Sequence, residues 1–150
     1  MAKLVAYVTF YLEKQGGKDM KFYIGSGLKN KEAVRTVAGK LKQSGWDHTY
    51  DWTQNELVSS LEELRTIGML EKQAVGAADV VVILLPGGKG THIELGMAIA
   101  TKKKIFLHDS SGEVMNVPTT STFYHLPEIT ICTGSLDELI TIVLNKNKFK

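Results

Sequence analysis

The sequence predicts a doubly wound α/β domain built on a parallel sheet, and three observations carry that prediction. Apolar runs of strand length alternate with segments of helical period from Lys21 to Leu144. One run, Val80 to Leu85, is continuously apolar, as a strand buried on both faces of a parallel sheet reads. Two of the strands end in Gly-rich turns, Gly25-Ser26-Gly27 and Gly87-Gly88-Lys89-Gly90, where strand passes into helix.

The elements follow in order. Lys21 to Gly25 is a short β-rich run. Asn30 is placed to cap a helix whose Val34, Val37, Ala38 and Leu41 share one face, and Gly45 stops it. Trp46, His48, Tyr50 and Trp52 alternate with polar residues, which predicts a half-buried strand. Glu56 to Gly76 reads as one long helix, or as two broken at Gly68, with Leu57, Leu61, Leu64, Ile67 and Leu70 as its apolar stripe. Asp79 to Leu85 is the buried strand, the loop 86–90 follows, and a helix runs from about Thr91 to Lys102. Lys104 to Leu107 is the next strand. Residues 109–127 are polar, carry two of the three prolines and read as loop. Glu128 to Cys132 is the last strand, and Ser135 with Glu138 forms a capping box for a final helix to about Leu144. The expected architecture is a single-domain, five-stranded parallel sheet of Rossmann-like, flavodoxin-like type, with ligands bound beyond the carboxyl ends of its strands.

Composition bounds the function. The 150 residues suit one domain with a sizeable core. A net charge of +2 is too weak to suggest a nucleic-acid partner, and the Lys-rich segments 102–104 and 146–150 read as solvated surface. Leu4 to Leu12 is apolar but too short to span a bilayer, and it lacks a small-residue cleavage site, so no membrane partner is expected. Residues 1–20 are set apart as an N-terminal extension. Gln15 to Asp19 could be encoded by a ribosome-binding stretch before a start at Met20, so both a native and a non-native extension stay open, and the functional domain is expected over 21–150. Cys132 stands alone in an apolar run; it reads as a buried inert thiol, and a cytoplasmic setting follows. No Cys/His cluster suggests a metal, and no cofactor is expected.

The chemistry concentrates in Pro86 to Glu94. Gly87, Gly88 and Gly90 are expected to let the backbone adopt positive φ and to admit a ligand closely. The loop opens a helix, whose free N–H groups and positive end make an anion site suited to phosphate, with the Thr91 hydroxyl adding to it. Glu94 lies one helical turn further on. Two readings stand for it: a surface carboxylate stabilised by the helix dipole, or a catalytic acid beside a phosphate, where an oxocarbenium-like sugar gives it work. The loop is not a Walker A motif, because Gly90 separates Lys89 from Thr91. Gly25, Ser26 and Gly27, with Lys29, sit at the first helix's start, as turn and cap chemistry or as further phosphate ligands. Tyr50 and Trp52 could stack on a base or pack in the core. His92 is assigned no role.

The segment Pro86-Gly-Gly-Lys-Gly-Thr-His-Ile-Glu94 resembles the PGGxGTxxE motif of lonely-guy-type phosphoribohydrolases. Over residues 21–110 the layout is more similar to the nucleoside 2-deoxyribosyltransferase superfamily, which includes deoxynucleoside 5′-monophosphate N-hydrolases. That likeness rests on Phe22-Tyr23-Ile-Gly-Ser-Gly27, Ala78-Asp79-Val-Val-Val82 and Ile93-Glu94-Leu-Gly96-Met-Ala98. It implies Glu94 as nucleophile, Tyr23 as its hydrogen-bond partner and Glu71 as an assisting carboxylate, at a position where the family usually has aspartate. Gly88 stands where the transferases carry a base-reading acid, which favours a loop that holds phosphate. The resemblance further implies a small-molecule nucleoside or nucleotide substrate, N-glycosidic hydrolysis or 2-deoxyribosyl transfer, and a homodimer or higher homo-oligomer in which loop 116–124 reaches a neighbour's pocket. A non-catalytic nucleotide sensor and a glycohydrolase of NAD or ADP-ribose-like ligands are the alternatives.

Overall fold

The structure, a computed structural model, describes residues 20–148; the N-terminal extension lies almost wholly outside them. Strands β1 (Lys21–Ser26), β2 (Asp47–His48), β3 (Val80–Leu84), β4 (Lys104–His108) and β5 (Ile129–Cys132) alternate with helices α1 (Lys31–Gln43), α2 (Leu61–Ala77), α3 (Lys89–Ala100) and α4 (Leu136–Lys146). All strand pairs are parallel, in the order β2-β1-β3-β4-β5. This is the expected doubly wound sheet in its flavodoxin-like order. Helices α1 and α4 pack beside each other, as do α2 and α3, which covers the two faces of the sheet.

The core is built from the runs that were legible as strands. Every residue of β3 is buried, and Tyr23, Phe22, Ile24, Ile105 and Leu107 join it from the neighbouring strands. Val34, Val37, Ala38 and Leu41 are the buried face of α1, at the spacing that predicted it. Cys132 is buried and free. Ser135 caps α4 by accepting the Glu138 N–H at 3.1 Å.

Two elements depart from expectation. The second strand holds only Asp47 and His48; Asp51 then caps a 3-10 turn, Trp52–Gln54, which carries Trp52 into the core. Aromatic alternation looked like a strand, but the Asp51 carboxylate takes the Thr53 N–H and hydroxyl, and this local bonding ends the ladder. His48 packs as an aromatic, stacked on Phe22 with ring centroids 4.6 Å apart, and burial lowers its pKa. The long helix is unbroken at Gly68 but starts later, at Leu61, with Ser60 as its cap. Its expected stripe is not core: Leu57, Leu61, Leu64 and Leu70 are all exposed, and only Ala74 and Val75 of α2 are buried. No helix among the described residues is long and apolar enough to cross a membrane.

Candidate active site

The strand order reverses between β1 and β3, so the connections leaving their carboxyl ends part around a crevice. Both Gly-rich turns open there, and they are laced together. The Gly27 N–H donates to the Pro86 carbonyl at 3.1 Å, and a side chain at Gly27 would bring a Cβ within 2.8 Å of that oxygen. Ser26 donates its hydroxyl to the Leu84 carbonyl at 2.6 Å and accepts from the Asn30 amide at 3.0 Å. The same amide reaches Pro86 O at 3.3 Å. Asn30 therefore does not cap α1 with its side chain; it joins the two turns. Ser26 and Gly27 spend these groups on holding the crevice in shape.

The glycines of the second loop act by space rather than by handedness. Positive φ among the described glycines occurs at Gly45 and Gly112, not at Gly87, Gly88 or Gly90. A Cβ on Gly87 would lie 2.5 Å from Thr91 Cγ2, whereas Gly88 and Gly90 face open space. Thr91 is buried, and its hydroxyl accepts the Gly88 N–H at 3.2 Å. Gly87→Ala should thus cost about 1–3 kcal/mol by overpacking, while Gly88→Ala should be nearly neutral; urea titration of the two variants separates them. The first N–H groups of α3, at residues 89–91, have no acceptor within the helix, so the loop presents donors and a positive helix end.

Glu94 sits on the buried face of α3, only 7% exposed. Gly25 gives it room: a Cβ there would stand 3.7 Å from the Glu94 carboxyl group and 3.0 Å from Ile83 Cδ1. Burial pushes the Glu94 carboxyl up to about 7, the Tyr23 hydroxyl opposes that rise, and the Glu71 charge adds to it. Tyr23, fully buried on β1, has its own pKa driven far up by burial and then by the Glu94 charge, so it stays a phenol. The phenol lies near enough to favour the charged form of Glu94. Yet neither Tyr23 Oη nor Glu94 Oε2 completes a hydrogen bond within the protein. Glu71, half-buried on α2, also has its pKa raised by burial. Three predicted residues from β1, α2 and α3 therefore converge on one electrostatic cluster.

Two cavities take in parts of the site, one the Gly-rich loop and the other Glu71. One, of about 510 Å³, is lined by Pro86, Gly87, His92, Asp109, Thr120 and Tyr124. The other, of about 570 Å³, is lined by Leu28, Trp52, Asn55, Leu57, Ile67 and Glu71. Trp52 donates its indole N–H to Ile24 O at 2.7 Å, so its ring is fixed as a wall. His92, which carried no signal in the sequence, joins Gly88 O at 2.8 Å to the Tyr124 hydroxyl and so holds loop 116–124 beside the Gly-rich loop. Among the described residues no cluster of His, Cys, Asp and Glu could hold a metal ion.

Residues 22–134 match the family model of nucleoside 2-deoxyribosyltransferases. The chain belongs to the nucleoside 2-deoxyribosyltransferase family. It is accordingly an enzyme of the glycosyl hydrolase or transferase type, acting at the bond between base and sugar. No curated protein sequence matches it. Among solved structures, it is similar to a CMP N-glycosidase, BcmB, of Clostridium botulinum, at 18% identity and a TM-score of 0.53, covering 82% of this chain and 97% of that one. It is also similar to a conserved protein of Enterococcus faecalis V583, at 16% identity and a TM-score of 0.57, covering 86% and 99%. These likenesses bear out the fold, and the family match spans every site residue named above: Tyr23, Gly25, Ser26, Gly27, Trp52, Glu71, Gly87, Gly88, Gly90, Thr91 and Glu94.

Proposed function

We propose that this protein hydrolyses the N-glycosidic bond of a nucleoside 5′-monophosphate, with Glu94 as nucleophile. The observation that carries the reading is Glu94 itself: a buried carboxylate with an unpartnered Oε2, poised near neutral pH, one helical turn from the anion-binding end of α3. An orphaned buried oxygen costs free energy, and contact with substrate relieves it. The N–H groups of residues 89–91 would hold the 5′-phosphate. A Glu94 oxygen attacks C1′, the bond from C1′ to the base nitrogen breaks, and its electron pair leaves with the base. Glu71, whose burial favours its protonated form, supplies the proton. Water then attacks C1′ of the glycosyl ester and frees Glu94, and its proton passes to the Glu71 carboxylate, which restores the acid. Tyr23 stabilises the Glu94 carboxylate before the attack. The CMP N-glycosidase of similar fold is named for a substrate of this class.

We also read the protein as a cytoplasmic homo-oligomer. Ile93, Gly96 and Ala100 form an exposed, uncharged stripe on the outer face of α3, and Met115, Val117 and Phe123 stand exposed in the loop region that follows β4. In the described chain that loop lines its own first cavity, and its exposed apolar tips are what a neighbour would meet.

The test is a panel of ribo- and deoxyribonucleoside 5′-monophosphates, nucleosides and NAD, with free base read by chromatography. Monophosphates should be cleaved at least ~10-fold more efficiently than the matching nucleosides, the worth of one or two charge-assisted hydrogen bonds. Equal rates for nucleosides, base exchange without hydrolysis, or tight binding without turnover would each overturn the reading.

A further inference from the structure

The second cavity is lined mainly by apolar side chains; its polar residues are Lys31, Asn55, Glu56 and Glu71, and of these Asn55 is oriented by a hydrogen bond within the protein. Asn55 ends the 3-10 turn that carries Trp52, and its backbone N–H donates to Trp52 O at 3.1 Å. This ties the residue to the fixed indole wall. The Tyr50 hydroxyl donates to Asn55 Oδ1 at 2.8 Å. With the amide oxygen engaged, the two N–H donors of Nδ2 are the free edge of the side chain. The cavity that Asn55 lines is also walled by Trp52, Leu28 and Ile67, with Glu71 on α2. An aromatic plate with an oriented amide donor beside it is the combination that recognises a planar heterocycle by one edge.

We infer that Asn55 is a specificity-determining residue: held by Tyr50, it donates a hydrogen bond to a carbonyl oxygen or unprotonated ring nitrogen on the base of the substrate. The inference rests on the nucleotide-hydrolase reading and names its base subsite. The sugar and phosphate would lie toward Glu94 and the Gly-rich loop, and the base toward Trp52. A base that presents only donors at that edge would be rejected, because the Nδ2 donors would then be desolvated without an acceptor.

Asn55→Asp is the sharp test. It keeps an acceptor for Tyr50 and removes both donors. Asn55→Ala removes the whole group, and Tyr50→Phe releases the amide without deleting it. Binding of the four common ribonucleoside 5′-monophosphates and of ribose 5-phosphate would be measured by calorimetry in the Glu94→Gln background. For the tightest-binding monophosphate, Asn55→Asp and Asn55→Ala should each weaken binding about 10-fold, the worth of one hydrogen bond, and Tyr50→Phe less. Ribose 5-phosphate, which has no base, should bind all four proteins alike. Near-normal nucleotide binding by Asn55→Asp would overturn the inference, as would an equal loss of ribose 5-phosphate binding. Because the readout is binding, it is separable from catalysis. A wild-type protein that binds in this pattern but releases no base would sink the hydrolase reading and leave the role of Asn55 standing.

Discussion

Glu94→Gln should abolish base release, by a factor on the order of 10⁴ or more, while nucleotide binding persists. Losses of that size are typical where a covalent nucleophile is removed and the rest of the site is kept. The substitution keeps the volume of the side chain, so Gly25, Ile83 and Tyr23 can pack as before. Single-turnover kinetics separate binding from chemistry. The pH profile is a second expression of the same claim. The nucleophile must be ionised, and its carboxyl is pushed up to about 7. kcat/KM should therefore rise with pH as Glu94 ionises and fall again where Glu71 loses the proton it must supply. Tyr23→Phe removes the group that opposes the rise, so its profile should shift to higher pH, whereas a merely structural tyrosine would lower activity without moving the profile.

The second large effect is on stability, and it has the opposite direction. Glu94 in the folded protein holds its proton up to about 7, against an ordinary carboxyl value of 4.5. The folded state thus binds this proton more tightly than the unfolded chain does. Its contribution is fully present below about 4.5 and is lost as pH rises through about 7. The loss amounts to roughly 3 kcal/mol, since each tenfold difference in proton affinity between the folded and unfolded chain is worth about 1.4 kcal/mol. Glu94→Gln carries no such charge. It should match the wild type near pH 4.5 and exceed it by up to roughly 3 kcal/mol at pH 8, a rise in Tm on the order of 5–10 °C. Thermal unfolding across that pH range checks it. A wild type that is inactive when mutated and less stable when intact is the pattern of a strained functional site.

The sheet was legible because burial writes itself into apolar runs. β3 shows no alternation because both of its faces are covered, and α1 shows its four core positions at helical spacing. The second strand was overread because aromatic alternation is also what a short strand followed by a capped turn produces, and Asp51 decides between them. The apolar stripe of the long helix was read from spacing alone, and spacing does not say what the stripe faces. Nothing in a single sequence tells an apolar face turned to the protein's own core from one turned to a cavity or to another surface, and here Leu57 is 98% exposed.

The site was legible in part for a different reason. Glu94 and the loop before it form one contiguous motif, so local chemistry sufficed. Tyr23 and Glu71 came through family resemblance, and the structure brings both within electrostatic range of Glu94. The roles that were not legible rest on long-range bonds: Asn30, expected only as a helix cap, reaches Pro86 across 56 positions, and His92, assigned no role, reaches Tyr124 across 32. Asn55 escaped because its role depends on a phenol five residues earlier, at a distance only the turn geometry sets. The loop glycines were identified as necessary, but for the wrong cause at Gly87. Contact with Thr91, rather than positive φ, requires it.

The central claim is that Glu94 forms a covalent glycosyl intermediate, and stereochemistry tests it most directly. Turnover of a β-nucleoside 5′-monophosphate in aqueous methanol would trap the intermediate as a methyl glycoside, which does not mutarotate and whose anomeric configuration proton NMR reads. Two displacements at C1′, the first by Glu94 and the second by methanol, predict the β-methyl glycoside, with retention. The α-anomer as the product would mean that solvent attacks C1′ directly, and it would contradict the assignment of Glu94 as nucleophile.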